Sequence, residues 1–293
     1  MAIKAENAVI YTDYDLRATL DSGQTFAFYE EGGGFAGVAG GRPAVVVECS
    51  GSYEIKCRKS DAAFWRRYFD LDGAYGPLLE NHIAAEGDGA CDGGKAFLTA
   101  CVRAYGGLRL LRQPVWETIC AFIISANNNI KNIKNTYQRL SRQYGEAVAW
   151  DGRAFYAFPA PPALAGASEA ELRSLSLGYR APYLLETAGA IAADGLPDLD
   201  AMPYEQALKY LMKLRGVGEK VADCVLLFST AHMRAFPVDV WIERALREHY
   251  GMEGSRGALK RRAQSLFGDS AGLAQQFMFH GIRNRLPVPG NES

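Results

Sequence analysis

A chain of 293 residues that is 48% hydrophobic and 22% charged reads as an ordinary soluble protein, long enough for a substantial core and for two domains or one large one. Its formal net charge of -1 and pI near 6.5 exclude global attraction to nucleic acid, so any such contact must come from a local basic face. The start MAIKAENAVIYTDYDLR has no apolar signal-like core and no later apolar run approaches the roughly 18 residues of a membrane span, which makes a cytoplasmic protein without membrane contact the expectation.

Up to about residue 105 the signals are those of strands and turns. In GGGFAGVAGGRPAVVVECSGSYEIKC, glycine clusters bound β-branched runs such as Val45 to Val47, which predicts an antiparallel sheet. SDAAFWRRYFDL predicts a helix, with Phe64, Tyr68 and Leu71 at helical spacing, and EGDGACDGGK reads as a loop. Beyond that the chain reads as helical, giving expected domains of 1–105 and 106–293. PVWETICAFIISANNNIKNIKNTYQRLSRQYG puts Pro114 in a first turn and Ile119, Phe122, Ile123 and Ile124 at apolar positions, with Asn127 to Asn129 as a break before a second amphipathic helix. FPAPPALAGA reads as a proline-rich connector, and Ser168 with Glu171 three residues on as a capping-box start. YLLETAGAIAADG, YEQALKYLMKL, PVDVWIERALREHYG and GLAQQFMFHGIRN supply further helices, and the tail LPVPGNES is expected to be disordered. Lys131, Lys134, Arg139, Lys260, Arg261 and Arg262 could build a basic face, although such residues are mostly solvated helix faces.

The stretch LRGVGEKVADC at residues 214–224 carries the chemistry. Two helices joined by Gly216-Val217-Gly218 make a helix-hairpin-helix, whose turn amides can face a phosphate. Lys220 then stands at the positive end of a helix dipole, a poor place for an ammonium. Two accounts stay open: a phosphate contact at the surface, or a nucleophile. Lowering a lysine from about 10.4 toward 8 raises the free amine near pH 7.4 from on the order of 0.1% to roughly a fifth, and a helix N-terminus with partial burial pushes that way. Downstream, FPVDVW places Asp239 at a helix start, where it reads as an N-cap; capping leaves its carboxylate at the helix mouth.

LRGVGEKVADC with the FPVDV that follows resembles the helix-hairpin-helix, Gly/Pro-rich loop and aspartate signature of the DNA glycosylase superfamily. DSGQTFAF, YGGLRLLRQPVWETICAFIISANNNI, LSLGYRAPYL and AGLAQQFMF extend the resemblance over residues 21–279 to one branch, the 8-oxoguanine DNA glycosylases of bacterial type. The resemblance implies an α+β fold with an N-terminal antiparallel sheet domain (TBP-like) on an all-α glycosylase domain, and a monomer acting on double-stranded DNA, nucleoid-associated if bacterial. It makes Lys220 the amine that attacks C1′ of a flipped-out damaged nucleotide and Asp239 the carboxylate that stabilises charge developing on the sugar. Gly23 becomes the carbonyl that accepts the N7–H of the oxidised base, Gln275 the reader of its Watson–Crick edge, and Phe279 and Cys224 the pair enclosing it. Asn127 and Arg180 become holders of the orphaned cytosine and Tyr179 the aromatic wedge. Independently, Gln275 and Phe279, like Lys220 and Cys224, are four apart and share a helix face. Asn132 stands where eukaryotic enzymes carry a second cytosine-reading arginine, and Trp241 where they have a histidine.

Six cysteines (Cys49, Cys57, Cys91, Cys101, Cys120, Cys224) lie far apart with no CxxC, none follows Cys224, and no HxxxH occurs, so neither an iron–sulfur cluster nor another bound metal is expected. Whether the hairpin carbonyls take a monovalent cation stays open. The absence of a cysteine cluster argues against an endonuclease III or adenine glycosylase type, and Lys220 against an alkylated-base enzyme. A hairpin module that binds DNA without chemistry is the competing class.

Overall fold

The computed structural model describes residues 6–77, 80 and 92–287. Five antiparallel strands form the first layer: β1 (Asn7–Thr12), β2 (Phe28–Glu31), β3 (Gly34–Ala39), β4 (Arg42–Cys49) and β5 (Ser52–Arg58), in the order β1-β5-β4-β3-β2. Side chains alternate across the pleat. Val46 lies between Phe35 and Ile55 in the register, and Ala44, Val46, Ile55 and Cys57 are all fully buried. Helices α1 (Leu16–Asp21) and α2 (Ala62–Tyr68) belong to the same part of the fold, and Trp65 and Tyr68 of α2 with Phe69 gather in an aromatic cluster around Phe28.

The helical part comprises α3 (Asp92–Tyr105), α4 (Val115–Ser125), α5 (Ile130–Tyr144), α6 (Pro161–Ala165), α7 (Glu169–Leu172), α8 (Ala181–Asp194), α9 (Tyr204–Leu211), α10 (Glu219–Ser229), α11 (Val240–Glu248), α12 (Arg256–Phe267) and α13 (Ala271–Arg283). One continuous core runs from Ile10 to Ile282, so the sheet is packed on the helices in an α+β fold. The capping box forms as expected, Ser168 accepting from the Glu171 amide and Glu171 from that of Ser168. Among the described residues no helix is long and apolar enough to cross a membrane.

Three local readings change. EGDGACDGGK spans residues 86–95, and its last four open α3: Gly94 lies so close to Tyr250 that an added Cβ would sit 2.5 Å from the ring, so this glycine serves helix packing instead of a turn. Residues 86–91, Cys91 included, lie outside the described residues, as does the tail from residue 288. FPAPPALAGA contains α6, because Pro161 and Pro162 occupy a first turn, where the missing N–H is harmless and the fixed φ suits a helix. Between α5 and α6 a hairpin, β6 (Ala147–Trp150) and β7 (Arg153–Tyr156), turns at Asp151-Gly152 and packs Trp150 and Phe155 against Ala36 and Val38. It covers the outer face of β3, all six of whose residues are buried.

A buried carboxyl ties these parts together. Glu117 of α4 accepts hydrogen bonds from the Gly40 amide of the β3–β4 turn (2.8 Å) and from the Tyr137 hydroxyl of α5 (3.2 Å). Burial outweighs both bonds and pushes its pKa from 4.5 up to about 7.

Candidate active site

The turn between α9 and α10 leans on α8. Gly216 has φ +82°, and a Cβ there would sit 2.7 Å from Tyr183 Cβ, so both torsion and space require glycine. The Arg215 guanidinium lies 5.3 Å from the Tyr183 ring centroid, and Tyr183 meets Tyr179 edge-on at 6.1 Å. Thr187 of α8 donates to the Arg215 carbonyl (2.9 Å), and buried Val217 returns its amide to Leu214 (3.1 Å). Gly218 is the N-cap of α10 and brings no side chain to bond the first-turn amides.

Lys220 therefore sits in the first turn of α10, half-buried, with Nζ 5.3 Å from the centroid of Phe122 in α4. Cys224, one turn on, is buried; burial pushes its thiol up to about 11, with the adjacent positive charge of Lys220 acting against that rise. The opposite side of α10 is anchored by charge. Lys260 of α12, placed among surface cations by the sequence, is only 6% exposed: its Nζ lies 2.7 Å from Asp223 Oδ2 and 2.9 Å from Glu219 Oε1. Burial alone would lower its pKa, but the two carboxylates and the Tyr204 hydroxyl outweigh it and hold the ammonium charged. Tyr204 also donates to Asp223 Oδ1 (2.6 Å). The turn of α10 about its axis, and with it the direction of Lys220, is fixed from behind.

Asp239 does cap α11, its Oδ1 accepting from the Trp241 amide (3.0 Å) and the Ile242 amide (2.9 Å). It also faces the cavity that Lys220 lines. That cavity is walled by Gly23, Phe122, Cys224, Pro237, Gln275 and Phe279 besides these two, with Ser22, Phe228 and Gln276 completing it, and has about 40 Å³ of free space. This is room for a few water molecules, so a purine enters only if a wall gives way. Phe279 is the partly exposed ring among those walls.

Gly23 is held by its neighbours. The Gln24 side chain donates to the Arg109 carbonyl (2.8 Å) and accepts from the Leu111 amide (2.9 Å), while Gln113 donates to the Gln24 carbonyl (2.6 Å). Gly23 itself has φ +80°. Gln275 is 4% exposed; its Nε2 donates to the Pro237 carbonyl (3.3 Å), and its Oε1 is buried with no partner. An acceptor without a donor is a costly thing to bury, which suits a site that awaits one.

A second group lies apart from this cavity. Asn127 is exposed at the α4–α5 break with φ +55°, a conformation asparagine tolerates. Arg180 is buried, and its guanidinium donates to the carbonyls of Ala126, Asn127 and Leu177, bracing that break from within. Tyr179 stays 47% exposed, its hydroxyl donating to Ala126 (3.1 Å). Asn132 is exposed, and Trp241 packs half-buried against the core. Among the described residues no group of three or more His, Cys, Asp or Glu side chains could hold a metal ion.

A family model described as HhH-GPD superfamily base excision DNA repair protein matches residues 120–268, and one described as 8-oxoguanine DNA glycosylase, N-terminal domain, matches residues 8–119. The chain belongs to the HhH-GPD superfamily. It is 33% identical over 199 residues to a probable N-glycosylase/DNA lyase of Methanothermobacter thermautotrophicus and 37% identical over 209 residues to an N-glycosylase/DNA lyase of Saccharomyces cerevisiae. Those matches take in 60% and 66% of this chain, and 64% and 53% of the relatives' own length. A solved Clostridium acetobutylicum 8-oxoguanine glycosylase/lyase, in complex with dsDNA containing cytosine opposite to 8-oxoG, superposes with a TM-score of 0.86 at 28% identity, covering 96% of this chain and 97% of that one. In this HhH-GPD chain the sequence reading missed Phe122 and Pro237 as walls of the cavity and Lys260 as the cation that anchors α10 from behind. Lys260 had a signal: with Ala263, Gln264 and Phe267 it falls on the buried face of α12.

Proposed function

We propose that this protein excises 8-oxoguanine from duplex DNA and nicks the strand. The observation that carries the reading is one cavity lined by an amine, a carboxylate and four base-enclosing residues drawn from separate parts of the chain: Lys220, Asp239, Gly23, Cys224, Gln275 and Phe279. The damaged nucleotide swings out of the stack, because its C1′ cannot be reached inside the duplex. Lys220 Nζ attacks C1′, the C1′–N9 bond breaks, and the base departs with that electron pair while Asp239 meets the positive charge on the sugar. Opening of the C1′–O4′ bond gives a Schiff base, and loss of a C2′ proton then expels the 3′ phosphate.

Discrimination follows from hydrogen bonding. The oxidised base carries an N7–H for the Gly23 carbonyl where guanine presents a lone pair, and the orphaned Oε1 of Gln275 takes a donor from the Watson–Crick edge. The base slides between Cys224 and Phe279 as the ring yields. Tyr179 fills the vacated stack, and Arg180 braces the break that presents Asn127 to the opposite base. With Asn132 in place of a bidentate donor, opposite-base selectivity is relaxed.

Borohydride reduction on an 8-oxoguanine duplex tests the reading: it should trap a covalent protein–DNA adduct, and Lys220→Gln should lose both adduct and base release while still binding. A variant that nicks lesion DNA at the parental rate would refute it, and a pure hairpin binder would give no adduct at all.

A further inference from the structure

The side of α13 that carries Gln275 and Phe279 continues one turn beyond the cavity lining. Arg283, the last residue of that helix, follows Phe279 by one turn and Gln275 by two, and so lies on the same side. A Cβ built on Gly23 would lie 3.4 Å from Phe279 Cε1 and from Ile130 Cδ1 and 3.5 Å from Arg283 Nη1, which puts the guanidinium beside Gly23 and the enclosing ring, next to the residues that line the cavity. Nη1 is buried with no hydrogen-bond partner. No carboxylate lies within ion-pair distance of Arg283 among the described residues; Asp21, the acid that most influences it, is itself 3.3 Å from Lys134. The rest of the side chain is partly exposed, but a buried guanidinium N–H without an acceptor is unfavourable unless a ligand brings one.

We propose that Arg283 is a specificity-determining residue that donates a hydrogen bond to the C8 oxygen of the oxidised purine, beside the N7–H that Gly23 receives. The inference rests on the function proposed above. Oxidation at C8 converts an N7 lone pair and a C8–H into an N–H donor next to a carbonyl acceptor. A backbone carbonyl flanked by a guanidinium N–H presents the complementary acceptor and donor, so the edge that distinguishes the lesion is read at both atoms. Guanine would leave the Arg283 donor facing a C–H. A phosphate of the flipped nucleotide is the other acceptor that chemistry allows, but the donor adjoins Gly23 and Phe279, the residues that meet the base.

The test compares two substrates under single turnover: release of 8-oxoguanine from a duplex, and nicking of a preformed abasic site, which has the same backbone and no base. For Arg283→Met the ratio of the first rate to the second should fall about 10- to 100-fold, the loss typical of a charge-assisted hydrogen bond. Removing an unpaired buried donor should leave thermal unfolding at or above the parental temperature. An unchanged ratio overturns the proposal, whether both rates fall together, as for a phosphate contact or a purely structural role, or neither falls. Base release by the unaltered protein separately tests the underlying reading, so the two failures are distinguishable.

Discussion

Replacing Glu117 by glutamine should remove a pH dependence of stability. The folded protein holds a proton on this carboxyl up to about pH 7, whereas the unfolded chain releases it near 4.5. The folded state therefore binds more protons across that interval, and stability is full below 4.5 and declines as pH rises through 7. At 1.36 kcal/mol for each pH unit over which the two states differ by one proton, the decline is about 3 kcal/mol. Glutamine keeps the shape: its oxygen can accept from Gly40 and its amide can donate to the Tyr137 hydroxyl. Urea denaturation of parent and variant from pH 4.5 to 8 measures the effect. His280, held down to about 4 by burial and the Arg283 charge, acts in the opposite sense, adding stability as pH rises toward 6.5, so the parental curve alone is a sum. The difference between the two proteins isolates Glu117: similar stability near pH 4.5, and a variant more stable by about 3 kcal/mol at pH 8. Parallel curves would refute the buried-carboxyl argument.

Lys260→Met should cost about 3–5 kcal/mol, since it strands buried Asp223 with only the Tyr204 hydroxyl, and adding Asp223→Leu should recover much of the loss; chemical denaturation of the two variants checks this. On duplexes with each base opposite 8-oxoguanine, the exposed Asn132 leads us to expect comparable excision opposite cytosine and adenine, and a strong cytosine preference in single-turnover assays would count against it.

What the sequence disclosed followed the range over which its signals act. Lys220 with Cys224, and Gln275 with Phe279, share faces by helical spacing, and Asp239 caps because aspartate before an amphipathic run does so. The sheet was legible from β-branched runs between glycines. The β6–β7 hairpin carried an Asp-Gly turn signal at 151–152 that composition alone did not bring forward. Arg283 was equally within reach of spacing, four residues beyond Phe279. The posture of Arg180 was not, because its acceptors Ala126 and Asn127 lie 54 and 53 residues upstream, where no periodicity extends. Glu117 belongs to the same class: an acidic residue in an apolar helix reads as solvated until Gly40, 77 residues away, is found beside it.

The contact of Gly216 with Tyr183, and of Tyr183 with Tyr179, has a mechanical consequence. If, as proposed, a phosphate rests at the mouth of α10 and Tyr179 enters the duplex, that ring stands at a set stride from the phosphate, with Tyr183 as spacer. The backbone grip and the intruding ring then work as a gauge. On that reading, sliding the strand by a single nucleotide would put the ring out of step with the gap, and both marks would coincide at one register only.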